Sequence, residues 1–419
     1  MNGVRTSRPH PPDVSSGGIE QERHDRTRTS DRSGRGRPHS EGMEMPEPNE
    51  KKSGIVAFVG RPNAGKSTLL NRILGQKVSI VSEKPQTTRN RIVGLLNEPR
   101  GQIAFLDTPG IHRPLHKLNV RMMDHVRSAL SEADVVALMV DVTEPFGKGD
   151  QFVIEMLKEQ SEKEATERSS VIRSRRSRGK GREGGAAEDG EGPHERQPGG
   201  AGGAATSGSF AALRRSTHPS GPAAPPTQDD TVQRPLRFAL LNKIDLLKKN
   251  QLLPLMQQYA GFGLFDEIVP ISATTGDGVD DLLKLFFGVL PPGAPLFPTG
   301  DYTTQPERFY AAELIREKLL HHTSDELPYT TAVAVDRFEE DEQKGLIRIW
   351  ATIVVERETQ KPIVIGKNGQ MIKKIGTEAR LDLESILGAK VFLDLHVAVH
   401  ERWREDERFL GELEWPLRE

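Results

Sequence analysis

Gly60-Arg61-Pro62-Asn63-Ala64-Gly65-Lys66-Ser67-Thr68 has the G-x-x-x-x-G-K-[ST] spacing that wraps a phosphate chain. The apolar, β-branched run at 55–59 before it predicts a strand, and the helical spacing of apolar residues at 69–74 predicts a helix after it. That is the setting in which the spacing carries chemistry. Glycines at 60 and 65 let backbone N–H groups turn inward around a β-phosphate, and the helix N-terminus adds positive partial charge there. Lys66 is placed to reach the β and γ oxygens, and the Ser67 hydroxyl to hold Mg²⁺. The whole stretch from Gly60 to Thr68 is therefore expected to bind a nucleotide.

Around this stretch the chain is 419 residues long, with 58 Lys and Arg against 60 Asp and Glu, a formal net charge of −2 and no cysteine. Disulfides, thiolate zinc sites and cysteine nucleophiles are excluded, and a reducing cytoplasm suits the composition. The balanced charge gives no global polyanion signal, so any nucleic-acid binding must come from a local patch. No stretch approaches 18 uncharged apolar residues, so no membrane span is expected.

Residues 1–52 are rich in Arg, Ser, Gly, Pro and His and poor in apolar groups, and are expected to be a disordered tail. Asp13, Glu20, Glu22, Asp25 and Asp31 argue against a transit peptide, and the missing apolar core against a secretory signal. From Gly54 short apolar runs alternate with helical stretches: strands at 103–106, 135–140, 237–241 and 268–271, helices at 120–130, 152–157 and 279–289. This predicts an α/β, doubly wound, mostly parallel sheet over 53–292. Low-complexity sequence interrupts the pattern at about 161–234, predicting a disordered insertion. The proline-rich residues 293–306 read as a stiff linker. The second domain, 307–410, reads α-β-β-α-α-β: helix 308–320, strands 330–338 and 346–355, a helix, Gly366-Lys367-Asn368-Gly369, helix 370–387 and strand 391–399.

Companion motifs sit at the strand ends. Asp107-Thr108-Pro109-Gly110 follows the strand at 103–106. There Asp107 would hold a magnesium-bound water and the Gly110 N–H would meet the γ-phosphate. Asn242-Lys243-Ile244-Asp245 follows the strand at 237–241. The Asp245 carboxylate accepts two hydrogen bonds, and guanine offers N1–H and an exocyclic amine side by side where adenine does not, so guanine is selected. Ser272-Ala273 after the next strand would offer backbone N–H groups to the guanine O6. In the second domain the two glycines of Gly366-Lys367-Asn368-Gly369 permit close approach of a nucleic-acid backbone, as in the G-x-x-G loop of a type II KH fold. Lys361, Lys367, Lys373 and Lys374 make the neighbourhood basic, and Ile363, Ile365, Ile372 and Ile375 are expected to floor a groove.

In the order of phosphate loop, Thr87-Thr88-Arg89, Asp107 to Gly110, Asn242 to Asp245 and Ser272-Ala273, the chain resembles the translation-factor-related GTPases. That resemblance makes 81–91 the first switch, with Thr88, or else Thr87, closing on Mg²⁺ when the γ-phosphate is present. Ile111 stands where Ras-like enzymes place a water-orienting glutamine. Members with an aliphatic residue there often use K⁺, and Asn63 matches its asparagine ligand; the alternative is that Asn63 only shapes the loop. The resemblance thus implies a catalytic group of Lys66, Asn63, Thr88 and Gly110.

Pro85-Gln86-Thr87-Thr88-Arg89, Val355-Glu356-Arg357, Ile375-Gly376, Glu378-Ala379-Arg380 and the region of Trp403, Arg404, Asp406 and Glu407 narrow this further. From Gly54 onward the two domains resemble the Era family of GTPases. The resemblance implies a cytoplasmic, monomeric, GTP/GDP-switched factor. Such a factor binds 16S ribosomal RNA through Lys361, Gly366, Lys367, Asn368, Gly369 and Lys373, assists 30S subunit assembly, and associates peripherally with the cell membrane. Two other readings stay open: an RNA-binding scaffold whose nucleotide is not hydrolysed, and a GTPase of transfer-RNA modification, although those look to a C-terminal cysteine that this chain lacks.

Overall fold

The computed structural model describes residues 51–112, 114–180, 234–324, 326–341 and 343–414, with backbone alone at 167–180 and 249. Nearly all of the expected tail at 1–52, and residues 181–233 of the expected insertion, lie outside the described residues.

The first domain is built on six strands. These are β1 (Lys52–Gly60), β2 (Ile92–Glu98), β3 (Gly101–Asp107), β4 (Val135–Asp141), β5 (Leu236–Asn242) and β6 (Glu267–Pro270), in the spatial order β2-β3-β1-β4-β5-β6. All pairings are parallel except β2 with β3. Strands buried on both faces must read as continuous apolar runs, and all seven residues of β3 are buried. Ile55, Ala57 and Val59 face a cluster with Met123, Val126 and Leu130 of α2 (Lys117–Glu132) and Val153, Ile154 and Leu157 of α3 (Lys148–Lys180). Val56 and Phe58 face Leu69 and Leu70 of α1 (Lys66–Leu74) and Leu282, Leu283 and Phe286 of α5 (Val279–Val289). Between β5 and β6 lies α4 (Lys249–Ala260), whose Tyr259 joins the first cluster. Because β3 is added on one side of β1 and β4 on the other, the loop leaving β1 stands at the reversal point where doubly wound sheets bind nucleotides.

One expectation is corrected. The helix expected at 152–157 does not give way to disorder near 161: α3 continues to Lys180. Residues 162–168 are mostly Glu, Lys, Ala and Arg, strong helix formers, and Glu164 pairs with the buried Arg237 of β5. The proline-rich segment after Leu290, read as a stiff linker, does not stand clear of the first domain. Leu95 N–H donates to Tyr302 O at 2.8 Å, Phe297 N–H to Gln102 Oε1 at 2.9 Å, and Thr303 Oγ1 to Val93 O at 2.7 Å, so the segment is laid along β2 and β3. β2 itself went unread. Its signal is the two-residue turn Pro99-Arg100 before Gly101.

The second domain has a three-stranded sheet of β7 (Thr331–Asp341), β8 (Leu346–Val355) and β9 (Lys390–Val399), with β7–β8 antiparallel and β8–β9 parallel. Its helices are α6 (Glu307–His322), the short α7 (Leu327–Thr330) and α8 (Lys361–Ile365), α9 (Gln370–Leu387) and α10 (Glu407–Leu413). Leu314, Ile315 and Leu319 of α6 and Ile375, Ala379 and Leu383 of α9 cover Ile347, Ile349 and Ile353 of β8. Apolar contacts join the domains. Ile80 inserts into this cluster, and Leu118 and Met122 of α2 pack with Ala332, Val354, Trp403 and Leu410. No helix among the described residues is long and apolar enough to cross a membrane.

Candidate functional site: a cleft between phosphate loop, base loops and second domain

A cleft of about 920 Å³ lies at the carboxyl ends of β1, β4 and β5. Pro62, Asn63, Gly65, Lys66, Ser67 and Thr68 form one wall, and Asn242, Lys243, Asp245 and Ala273 another, with Thr88 and Gly110 between. Gly65 opens α1 in the left-handed region, φ 94°, and no side chain caps that helix, so its first N–H groups are left for a ligand. Glycine is required there also by crowding, since a Cβ would stand 2.3 Å from Asn242 Nδ2. That approach matters: Asn242 Nδ2 donates to Ala64 O at 2.8 Å while its Oδ1 accepts from Ala273 N–H at 2.9 Å, tying the phosphate loop to the base loops.

Lys66 is buried and donates to Arg61 O at 2.9 Å and Gly60 O at 3.3 Å. Burial pushes its ammonium down to about 8, against the opposing pull of Asp107. Arg61 turns away, pairing with Glu144 and Asp150. Ala64 and Thr108 are buried behind the wall, with Thr108 Oγ1 donating to Phe58 O at 2.8 Å. The Ile111 side chain is buried in the core and its N–H donates to Gly60 O at 2.9 Å, so it reaches no water in the cleft.

Three groups assigned from distant stretches converge. Ser67 Oγ lies 2.6 Å from Asp107 Oδ2 and 2.9 Å from Thr88 Oγ1, and Thr88 Oγ1 lies 3.5 Å from the same carboxylate oxygen. Thr87 is not among them, because its hydroxyl donates to Lys84 O at 2.6 Å. Sequence reading missed a fourth member, Ser79, whose hydroxyl donates to Asp107 Oδ2 at 2.8 Å. Burial raises the Asp107 carboxyl, with Lys66 and the three hydroxyls opposing, and Asp107 Oδ1 is buried without a hydrogen-bond partner among the described residues. An orphaned carboxylate oxygen beside two hydroxyls is a hard-oxygen donor set that fits Mg²⁺.

At the base end, Asp245 is exposed to the cleft and Lys243, at φ 71°, pairs with Asp141. The expectation of free N–H groups at Ser272 and Ala273 is corrected. Ser272 N–H donates to Asp277 O at 2.9 Å and Ala273 N–H to Asn242 Oδ1 at 2.9 Å, so both buried amides have acceptors within the protein. Asn63, at φ 62°, donates from Nδ2 to Glu83 O at 2.7 Å, holding the 81–91 stretch over the phosphate loop.

Nothing in the sequence indicated how the second domain meets this cleft. α6 is buried on two sides, the sheet of its own domain on one and the 77–91 stretch on the other. Glu317 Oε1 accepts from Val81 N–H at 3.0 Å, Arg316 donates to Thr87 O, and Tyr310 donates to Lys77 O. Arg89 donates to Thr331 O at 2.7 Å and Pro328 O at 2.9 Å, with its guanidinium over the ring of Trp403. Leu320 and His321 of α6 complete the cleft wall.

Gly366, Asn368 and Gly369 all have positive φ, 73°, 54° and 73°. A Cβ on Gly366 would meet Met371 at 2.6 Å, whereas one on Gly369 meets no protein atom within 4 Å, so space beside the loop is open. Lys367, Lys373 and Lys374 are exposed and Lys361 half-buried. The expected groove floor is corrected in part. Ile375 points into the core, and the groove of about 290 Å³ along α9 and β9 is lined by the expected Ile372 together with Leu393 and Leu395, with Lys373 and Arg380 at its rim.

Fold and site together define a phosphate-loop nucleotide-binding domain joined to a KH domain. The model of the family described as 50S ribosome-binding GTPase matches residues 55–171, and that of the KH domain matches 326–404. GTPase Era of Geobacter metallireducens is 42% identical over 365 residues, 87% of this chain and 98% of its own, and GTPase Era of Staphylococcus haemolyticus is 38% identical over 366 residues, 87% and 97%. Two solved structures are 33% identical with TM-score 0.65. One is a variant of Aquifex aeolicus Era bound to GDP and AlF4⁻, covering 86% of this chain and 98% of that one. The other is Era in complex with MgGDPNP and nucleotides 1506–1542 of 16S ribosomal RNA, covering 87% and 98%. The chain belongs to the Era family of GTPases.

Proposed function

We propose that this GTPase reports its nucleotide state through its KH domain to 16S ribosomal RNA, and so assists assembly of the 30S subunit. The observation that carries this is the clasp of α6 on the switch stretch. Thr88, beside Ser67 and Asp107, has its neighbours Thr87 and Arg89 bonded to the second domain. The relative in complex with 16S ribosomal RNA supports the choice of RNA.

In this reading Ser67, Thr88 and Asp107 hold Mg²⁺, which when bound neutralises charge on the phosphate oxygens. Lys66 meets the β and γ oxygens, the Gly110 N–H the γ-phosphate, and Asp245 the guanine. Asn63 holds K⁺ in place of the side chain that Ile111 does not provide. Lys361, Lys373 and the loop from Gly366 to Gly369 receive the RNA. Residues 53–292 and 307–410 act as the two domains, joined by 293–306. Peripheral contact with the cell membrane and a monomeric state rest on the family resemblance.

GTP turnover by the full chain, lost in Lys66→Ala, together with sequencing of RNA crosslinked to the protein in cells, tests the proposal. Crosslinks that avoid the 3′ region of 16S ribosomal RNA would overturn the choice of partner, and absence of turnover the switch.

A further inference from the structure

The distal part of α3 has no task in the function above. Its first half is held by Val153, Ile154 and Leu157 against the sheet, and Glu164 pairs with Arg237, the second residue of β5. Nucleotides sit at the carboxyl ends of the strands, so Glu164 marks the opposite, amino-terminal edge of the sheet. From there the helix runs 16 more residues to Lys180, about 24 Å at 1.5 Å per residue.

Composition changes at the same point. Residues 168–180 hold Arg168, Arg173, Arg175, Arg176, Arg178 and Lys180 with no acid among them, in a chain whose net charge is −2. At 100° per residue these six positions leave one gap of about 140°, filled by Ser170, Ser174 and Ser177, so the segment has no apolar face for packing on a protein core. Val171 and Ile172 are its only large apolar residues, too few for an apolar face that enters a lipid surface. Arg173 and Arg176, Arg175 and Arg178, and Arg176 and Lys180 stand three or four apart, where like charges disfavour the helix. A polyanion wrapped along the rod removes that repulsion. Five of the six are arginine, whose planar fork matches phosphate oxygens in pairs.

We propose that residues 168–180 of α3 form a second RNA-binding element, gripping the phosphate backbone without reading sequence, remote from the G-x-x-G loop. The choice of RNA over another polyanion rests on the KH reading above; the basic rod itself does not.

The probe is purified 16S ribosomal RNA, and the variant is Arg173→Gln, Arg175→Gln, Arg176→Gln and Arg178→Gln together in the full chain, glutamine being as good a helix former. The slope of log affinity against log salt should fall by about 3, at roughly 0.7–0.9 per lost phosphate contact. Changing the same four residues to lysine should keep most of the slope, which a merely structural role would not require. Gly369→Asp, measured alongside, reports on the KH site. A wild-type slope in the glutamine variant overturns the proposal whatever Gly369→Asp does. A reduced slope with unchanged binding in Gly369→Asp supports the rod and removes the KH reading. Loss of binding to phosphatidylserine vesicles with an unchanged RNA slope would assign the rod to membranes and overturn the proposal.

Discussion

The guanidinium of Arg89 donates to the carbonyl oxygen of Thr331 at 2.7 Å, joining the residue after Thr88 to the first residue of β7. A second bond reaches Pro328 O at 2.9 Å, and burial together with nearby Arg316 and Arg404 disfavours the charge that Glu313 supports. Arginine remains protonated in such places, so this buried cation persists because its carbonyl partners and Trp403 surround it. Arg89→Leu should leave two buried carbonyls unpaired and cost about 2–5 kcal/mol. Urea unfolding checks this, and an unchanged midpoint would show that the two domains are not held through this residue.

Asp245→Asn should shift preference from guanine toward xanthine nucleotides, because the 2-position then presents a carbonyl to the Asn amide. Fluorescent-nucleotide titration with GDP and XDP measures the exchange of preference. Unchanged GDP affinity would remove Asp245 from the base site.

GTP hydrolysis should be faster in K⁺ than in Na⁺ at equal ionic strength, on the order of tenfold, since buried Ile111 offers the developing charge no polar group. Asn63→Ala should abolish the difference. Should both salts give the same rate in the unaltered chain, Asn63 serves only to hold Glu83 O.

With its ammonium pushed down to about 8, Lys66 couples nucleotide binding to pH. A triphosphate beside it favours the charged form, so its pKa is higher in the complex than in the free protein. The binding contribution is then complete below about pH 8 and is lost as pH rises through the higher value in the complex. Calorimetry near pH 8.5 in buffers of different ionisation enthalpy should show proton uptake on binding, absent in Lys66→Met. Heats independent of buffer would mean that Lys66 is already charged before nucleotide arrives.

Where the chain is cut within α3 decides the outcome of removing the segment that follows. Deleting 167–233 should spare GTP turnover, since it leaves on the face away from the cleft and closing a shorter loop costs little. Deleting 161–233 removes Glu164 and strands the buried Arg237, at a cost of about 3–5 kcal/mol. Equal thermal stability of the two deletions would show that this ion pair contributes nothing.

What was legible in the sequence was whatever is local. The phosphate loop, Asp107 and Asp245 each follow a strand by a fixed offset, and the periodicity of 346–355 and 370–387 gave β8 and α9 to the residue. Ser79 could not be found this way, because a serine in an irregular stretch has no periodic partner and meets Asp107 only through folding. The same holds for α6. Glu313, Arg316 and Glu317 look like a solvated face, and become buried only because another domain lies on them. The continuation of α3 was hidden by its charge, which removes apolar periodicity while leaving helix propensity intact.

The single amide of Asn242, bonded on one side to Ala64 and on the other to Ala273, makes the phosphate wall and the guanine wall one rigid jaw. Such a jaw does not hinge. The 81–91 stretch lies outside that jaw, and its outer side is held by α6. Changes that loosen the seam with the second domain are therefore expected to speed the escape of GDP, acting as a latch release for the nucleotide.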